Sequence, residues 1–123
     1  MTAVLGSGTQ SLVRQWVPVC RYDDLIPERG VAALVGEVQV AIFRTYEGEV
    51  YAVGNADPFS GAYVMSRGIV GSAGTTPTVA SPMFKQAFDL RTGQCLAEPG
   101  VAIPAYPVSC EGGIISIAVE GPS

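Results

Sequence analysis

Apolar and polar positions along this chain alternate far more often than they recur at helical spacing, and alternation is the signature of half-buried strands. Over residues 31–53 the pattern is that of antiparallel strands. Val38, Val40 and Ile42 fall on one face, while Glu37, Gln39, Ala41 and Phe43 fall on the other, because strand side chains alternate with period two. Residues 44–53 read as a hairpin turning at Glu47-Gly48, and residues 101–119 as a second hairpin turning at Glu111-Gly112-Gly113. Upstream, residues 15–20 read as a strand whose Pro18 argues for an edge position or a strand end. Residues 23–30 have turn chemistry, with an aspartate able to cap a single helical turn. Residues 1–13, with Gly6, Ser7 and Gly8, have little to bury and are expected to form a flexible tail, as are residues 121–123. A 3.6-residue apolar period nowhere persists for three turns. The expectation is therefore an all-β domain over residues 14–120, an antiparallel barrel or sandwich, carrying an insert at residues 55–93 with short strands at 68–71 and 78–80.

That insert holds two recognisable strings, Asn55-Ala56-Asp57-Pro58-Phe59-Ser60-Gly61-Ala62 and Ser81-Pro82-Met83-Phe84-Lys85-Gln86-Ala87-Phe88-Asp89-Leu90-Arg91-Thr92-Gly93. They resemble the two metal-binding boxes of a Rieske iron–sulfur domain, N-x-C-x-H-x-G-A and C-P-x-H-G-x-x-F-D-L-x-T-G. Matched in this way, Asp57 and Ser81 stand at the cysteine positions and Phe59 and Phe84 at the histidine positions. A Rieske [2Fe–2S] centre needs two thiolates on one iron and two imidazoles on the other, and a phenyl ring offers no lone pair. The resemblance thus implies a ligandless version of the fold, with no metal or cofactor held by this chain. Phe59 and Phe84 are expected to fill the space between the two loops as an edge-to-face plug. Asp57 and Ser81 are expected to hydrogen-bond their own loops, and Phe88, Leu90 and Gly93 read as core and turn.

Composition narrows the chemistry further. The chain has 123 residues, enough for one domain with its own core, and no histidine, which removes the commonest general base and metal ligand. Cys20, Cys95 and Cys110 form no C-x-x-C pair. They are expected to be reduced, with Cys20 and Cys110 buried in strands and Cys95 exposed after the turn at residues 92–94. Seven basic against eleven acidic residues give a net charge of −4 without a basic cluster, so no nucleic-acid partner is expected. No apolar stretch approaches the ~20 residues of a membrane helix, and a cytoplasmic location is expected. The stretch at residues 71–76 is glycine-containing but lacks the lysine and following helix of a phosphate loop, and reads as a surface loop. No pairing of nucleophile and base is present, so no catalytic residues are assigned.

Three strings taken together, D-P-F-S-G-A at 57–62, S-R-G-I-V-G at 66–71 and A-S-P-x-x-K-Q-x-F-D-L-x-T-G at 80–93, resemble the small subunit of the assimilatory NAD(P)H-dependent nitrite reductases. The similarity spans residues 14–119. It implies an accessory chain without activity of its own, supporting a large catalytic subunit that carries FAD, a [4Fe–4S] cluster and sirohaem and reduces nitrite to ammonia with NAD(P)H as electron donor. The alternative is a free-standing Rieske-like interaction module without redox activity. Lys85 and Gln86, at the loop tip where a Rieske domain carries glycine, are the expected contacts with the large subunit, together with Arg67 and Tyr63.

Overall fold

The computed structural model describes residues 12–122, and its strands sort into three antiparallel sheets. β1 (Leu12–Arg21), β10 (Ile114–Pro122) and β9 (Val108–Glu111) form the first, in the order β1-β10-β9. β2 (Gly30–Val35), β3 (Val38–Arg44), β4 (Val50–Gly54) and β8 (Ala105–Tyr106) form the second, in the order β2-β3-β4-β8. The third lies within the insert and consists of β5 (Ile69–Ala73), β6 (Thr76–Ala80) and β7 (Ala87–Asp89).

The second sheet is the middle layer, and its sequence shows why. In β3 the run Val40-Ala41-Ile42-Phe43 is buried on both faces, the pattern of a strand covered on two sides. Val40 and Ile42 pack with Leu25, Val35, Ala52, Ile115 and Ile117 toward the first sheet. Ala41 and Phe43 pack with Val53, Met65, Val79, Phe88 and Leu90 toward the insert. Complete burial of side chains the size of Phe43 and Phe88 is worth about 1.5–3 kcal/mol each. The expected alternation is present, and the insert supplies the apolar layer for the second face.

The expected hairpins form, with differences that backbone chemistry explains. β3 and β4 turn through residues 45–49, where the Thr45 N–H donates to the Glu49 carbonyl at 2.7 Å. The C-terminal ribbon is split. Pro104 and Pro107 supply no N–H, so residues 101–109 make no single strand, β8 joins β4, and β9 alone joins β10. Residues 71–76 fold into the β5–β6 hairpin. β1 is an edge strand, as Pro18 suggested, but its ladder with β10 runs from Leu12↔Pro122, so 121–122 are paired strand rather than tail. The remaining tail residues, 1–11 and 123, lie outside the described residues. The expected helical turn is a 3₁₀ turn at Tyr22–Asp24, and its aspartates lie inside the turn without capping it.

The cysteines reverse the expected order of exposure. Cys95 is in the core and Cys110 is exposed, with Cys20 between them. The Cys95 N–H donates to the Val101 carbonyl at 2.9 Å and the residue bridges Phe88, so the chain after the 92–94 turn folds back onto the insert core. Cys110 pairs with Ile115 one residue from the turn of the terminal hairpin, on the edge strand β9. No helix among the described residues is long and apolar enough to cross a membrane.

Candidate functional site

The insert is built around one loop design used three times. In each loop the first residue donates its backbone N–H to the carbonyl of the sixth and accepts from the N–H of the fifth. These pairs are Asp57 with Ala62 and Gly61, Ser81 with Gln86 and Lys85, and Asp89 with Gln94 and Gly93, all at 2.7–2.9 Å. A side-chain oxygen of the first residue also accepts from the N–H of the third: Phe59 to Asp57 at 2.7 Å, Met83 to Ser81 at 3.2 Å and Arg91 to Asp89 at 2.8 Å. Such side-chain turns are what Asp and Ser favour. The fifth residue has positive φ in every copy, 77° at Gly61, 62° at Lys85 and 82° at Gly93. Glycine adopts this conformation freely, whereas a residue with a Cβ loses roughly 1–2 kcal/mol, so Lys85 is strained where its two counterparts are not.

Asp57 and Ser81 join the first two loops directly. Both are buried, at 0% and 1% exposure, and the Ser81 hydroxyl donates to Asp57 Oδ2 in a short hydrogen bond. Asp57 Oδ1 accepts from Phe59 N–H and, at 3.3 Å, from Ser60 N–H. The expected bonding to the loop backbone is present, and the contact between the two side chains is added to it. It places in hydrogen-bond contact the two residues that the Rieske pattern aligns with cysteines.

The phenylalanine plug is not formed. Phe84 is 58% exposed and Phe59 37% exposed. Phe59 packs instead on Phe88 of β7, with ring centroids 6.4 Å apart and planes inclined at 45°. Asp57 and Ser81 join the two loops by their own contact, and the core beneath is occupied by Phe88, which Phe59 takes as its ring partner. Phe88, Leu90 and Gly93 are core and turn as expected.

The remaining candidates are distributed unevenly. Lys85 is exposed and Gln86 half-buried on the second loop, and exposed Tyr63 sits on the return limb of the first, bridged to Ala56. Arg67 ends a 3₁₀ turn (Met65–Arg67) and lines a separate cleft with Glu28, Arg29 and Ile69, to which the other three do not contribute. Sequence reasoning also passed over Asn55, which anchors the insert. Buried, it donates its backbone N–H to the Gln39 carbonyl at 3.1 Å and accepts from Ser66 N–H at 2.8 Å. A polar residue immediately after an apolar strand was the available signal.

As a donor set these loops do not fit a Rieske centre. Neither phenyl ring has a lone pair, and the oxygens of Asp57 and Ser81 are engaged with each other and with loop N–H groups. Among the described residues, no group of three or more His, Cys, Asp or Glu side chains could hold a metal ion.

A sequence profile of the Rieske-like [2Fe-2S] domain matches residues 15–118. The NADH nitrite reductase small subunit of Escherichia coli K12 is 39% identical over 104 residues, 84% of this chain and 96% of that protein. The chain belongs to the Rieske-like family of nitrite reductase small subunits. Within it, a Mycobacterium tuberculosis crystal structure assigned as an NADH-dependent small subunit is 51% identical, with a TM-score of 0.84 over 87% of this chain and 96% of that one. The small-subunit domain also occurs inside a longer polypeptide. The nitrite reductase [NAD(P)H] large subunit of Klebsiella oxytoca is 41% identical over 100 residues, 81% of this chain but 10% of that protein.

Proposed function

We propose that this chain is the cluster-free small subunit of an NAD(P)H-dependent nitrite reductase, working in the cytoplasm as an accessory to a large subunit that holds FAD, a [4Fe–4S] cluster and sirohaem and reduces nitrite to ammonia. The observation that carries the reading is the buried Asp57–Ser81 hydrogen bond. It supports the reading because it ties together, side chain to side chain, the two loops of a fold whose family model is a [2Fe-2S] domain. The six-electron chemistry belongs to cofactors, and the hydroxyl–carboxylate pair on the insert, Ser81 with Asp57, is buried and engaged in tying the loops. The contribution left to this chain is shape: a stapled loop pair presented to the large subunit, with Lys85, Gln86, Tyr63 and Arg67 as the polar contacts.

The test combines two measurements on the purified full chain. Iron and acid-labile sulfide should be absent and the visible spectrum featureless; stoichiometric iron and sulfide would refute the cluster-free role. Added to the large subunit, the chain should raise or stabilise nitrite-dependent NAD(P)H oxidation while showing none alone. Activity by the isolated chain, or no effect on the large subunit, would refute the accessory role.

A further inference from the structure

Lys85 occupies a backbone conformation that its counterparts in the other two loops, Gly61 and Gly93, fill with glycine. A strained non-glycine residue kept where glycine would relieve the strain points to a use for its side chain. That use is not internal: the ion pair found among the described residues is Arg91 with Asp89, and Lys85 is exposed without such a partner. Its neighbours are equally turned outward. Met83 and Phe84 on the same loop and Phe59 and Tyr63 on the adjoining one are large exposed apolar or aromatic side chains. Single exposed apolar residues are ordinary, but four on two loops joined by a hydrogen bond form a patch of the kind that marks an interaction site.

We propose that this loop-tip surface is where the large subunit of nitrite reductase docks, with Phe84 and Phe59 entering an apolar recess and the Lys85 ammonium meeting a carboxylate at its rim. The inference rests on the reading of the chain as a small subunit and names the surface involved. Charge selects the chemistry. The chain carries −4 overall, yet within residues 57–63 and 81–86 the acidic residue, Asp57, is buried and the exposed ionisable groups are Lys85 and the Tyr63 phenol. This end of an acidic protein therefore presents one cation among apolar side chains, complementary to an apolar surface bearing negative charge. The occupant follows from the Klebsiella oxytoca relative, in which the domain is part of the large-subunit polypeptide. The braced loops bind with little ordering to overcome.

Binding of the full chain to the purified large subunit, measured by titration calorimetry at two salt concentrations, tests the surface. Phe84→Ser should weaken binding by about tenfold or more, as a central aromatic contact does. Lys85→Gly should weaken it by roughly three- to tenfold and flatten the salt dependence. The same Lys85→Gly variant should melt no lower than the unmodified chain, since glycine relieves the backbone, which separates docking from folding. Leu34→Ser, exposed on β2 far along the chain, should bind normally. Affinities within twofold of the unmodified chain for both Phe84→Ser and Lys85→Gly would overturn the proposal while leaving the small-subunit reading intact. If the unmodified chain fails to bind the large subunit, that reading fails first. If Phe84→Ser instead abolishes self-association seen by light scattering, the surface belongs to a second copy of the chain and the proposal is wrong.

Discussion

Replacing Asp57 by alanine should remove more stability than any exposed position in the insert, and the structure gives the magnitude. The carboxylate accepts the Phe59 N–H at 2.7 Å, the Ser60 N–H at 3.3 Å and the Ser81 hydroxyl. The Ser60 contact is long and contributes little. Hydrogen bonds to a carboxylate are worth about 1.5–3 kcal/mol, and a buried polar group left without its partner adds a penalty of similar size. The Phe59 and Ser60 amides belong to exposed residues and can turn to water, whereas the Ser81 hydroxyl is buried, so the loss from Asp57→Ala should be about 3–4 kcal/mol. Ser81→Ala leaves a buried carboxylate oxygen unpaired and should lose about 2 kcal/mol. Asp57→Asn keeps an oxygen for the Phe59 N–H and an amide for Ser81, and should lose no more than about 1 kcal/mol. Urea unfolding followed by circular dichroism, fitted with a shared slope, gives each value. The double alanine variant should be less destabilised than the sum of the singles by about 1.5–2 kcal/mol, because both singles break the same bond. Additivity within ~0.5 kcal/mol would show that the two side chains do not interact, and the staple would have to be abandoned.

Phe88→Ala should lose about 3–5 kcal/mol by opening a cavity in the insert core, while Phe84→Ala should lose less than about 1 kcal/mol because the ring is already in water; equal losses in urea unfolding would contradict the placement of the two rings. Gly93→Ala places a Cβ 1.8 Å from the Ile103 carbonyl oxygen as well as in the left-handed region, and should lose about 2–4 kcal/mol. Gly61→Ala meets nothing within 4 Å and should lose only the ~1 kcal/mol of backbone strain; the melting temperatures should order accordingly. In a thiol-labelling time course read by mass spectrometry, Cys110 should react first. Cys20 should react slowly at neutral pH, since burial and then the nearby Asp24 hold its thiol above the ordinary range, and faster only as pH rises past it. Cys95 should react on unfolding; early labelling of Cys95 would show that the 94–101 segment is not packed as described.

The legible part of this fold was the part written in short-range pattern. Alternation placed β3 and β4, Pro18 put β1 at an edge, and the F-D-L-x-T-G string marked Phe88 and Leu90 as core. The misreadings share a cause, which is that they depend on what lies across from a residue rather than beside it. Cys95 looked exposed because it follows a turn, but the segment returns to the core through its bond to Val101. Phe59 and Phe84 looked buried because they stand at the ligand positions of loops flanking a metal site, and only the contact of Asp57 with Ser81, residues 24 apart, shows that the two loops are joined directly. Lys85 was singled out as a polar loop tip; its positive φ, the stronger reason to notice it, is invisible in one sequence.

β3 and β4 serve as a party wall, with Ala41, Phe43 and Val53 facing the insert and Val40, Ile42 and Ala52 facing the terminal strands. Neither hydrophobic cluster can be completed without that wall. An excised insert would expose the faces of Val79, Phe88 and Leu90, and a chain lacking the insert would leave Phe43 bare, so the loop pair is not a portable module. The two halves should melt in a single transition, with amides of β3 and β4 exchanging only through global opening. Distant substitutions on β10, at Ile115 or Ile117, would then reach the loop tips as a change in the fraction folded rather than as a change in their shape.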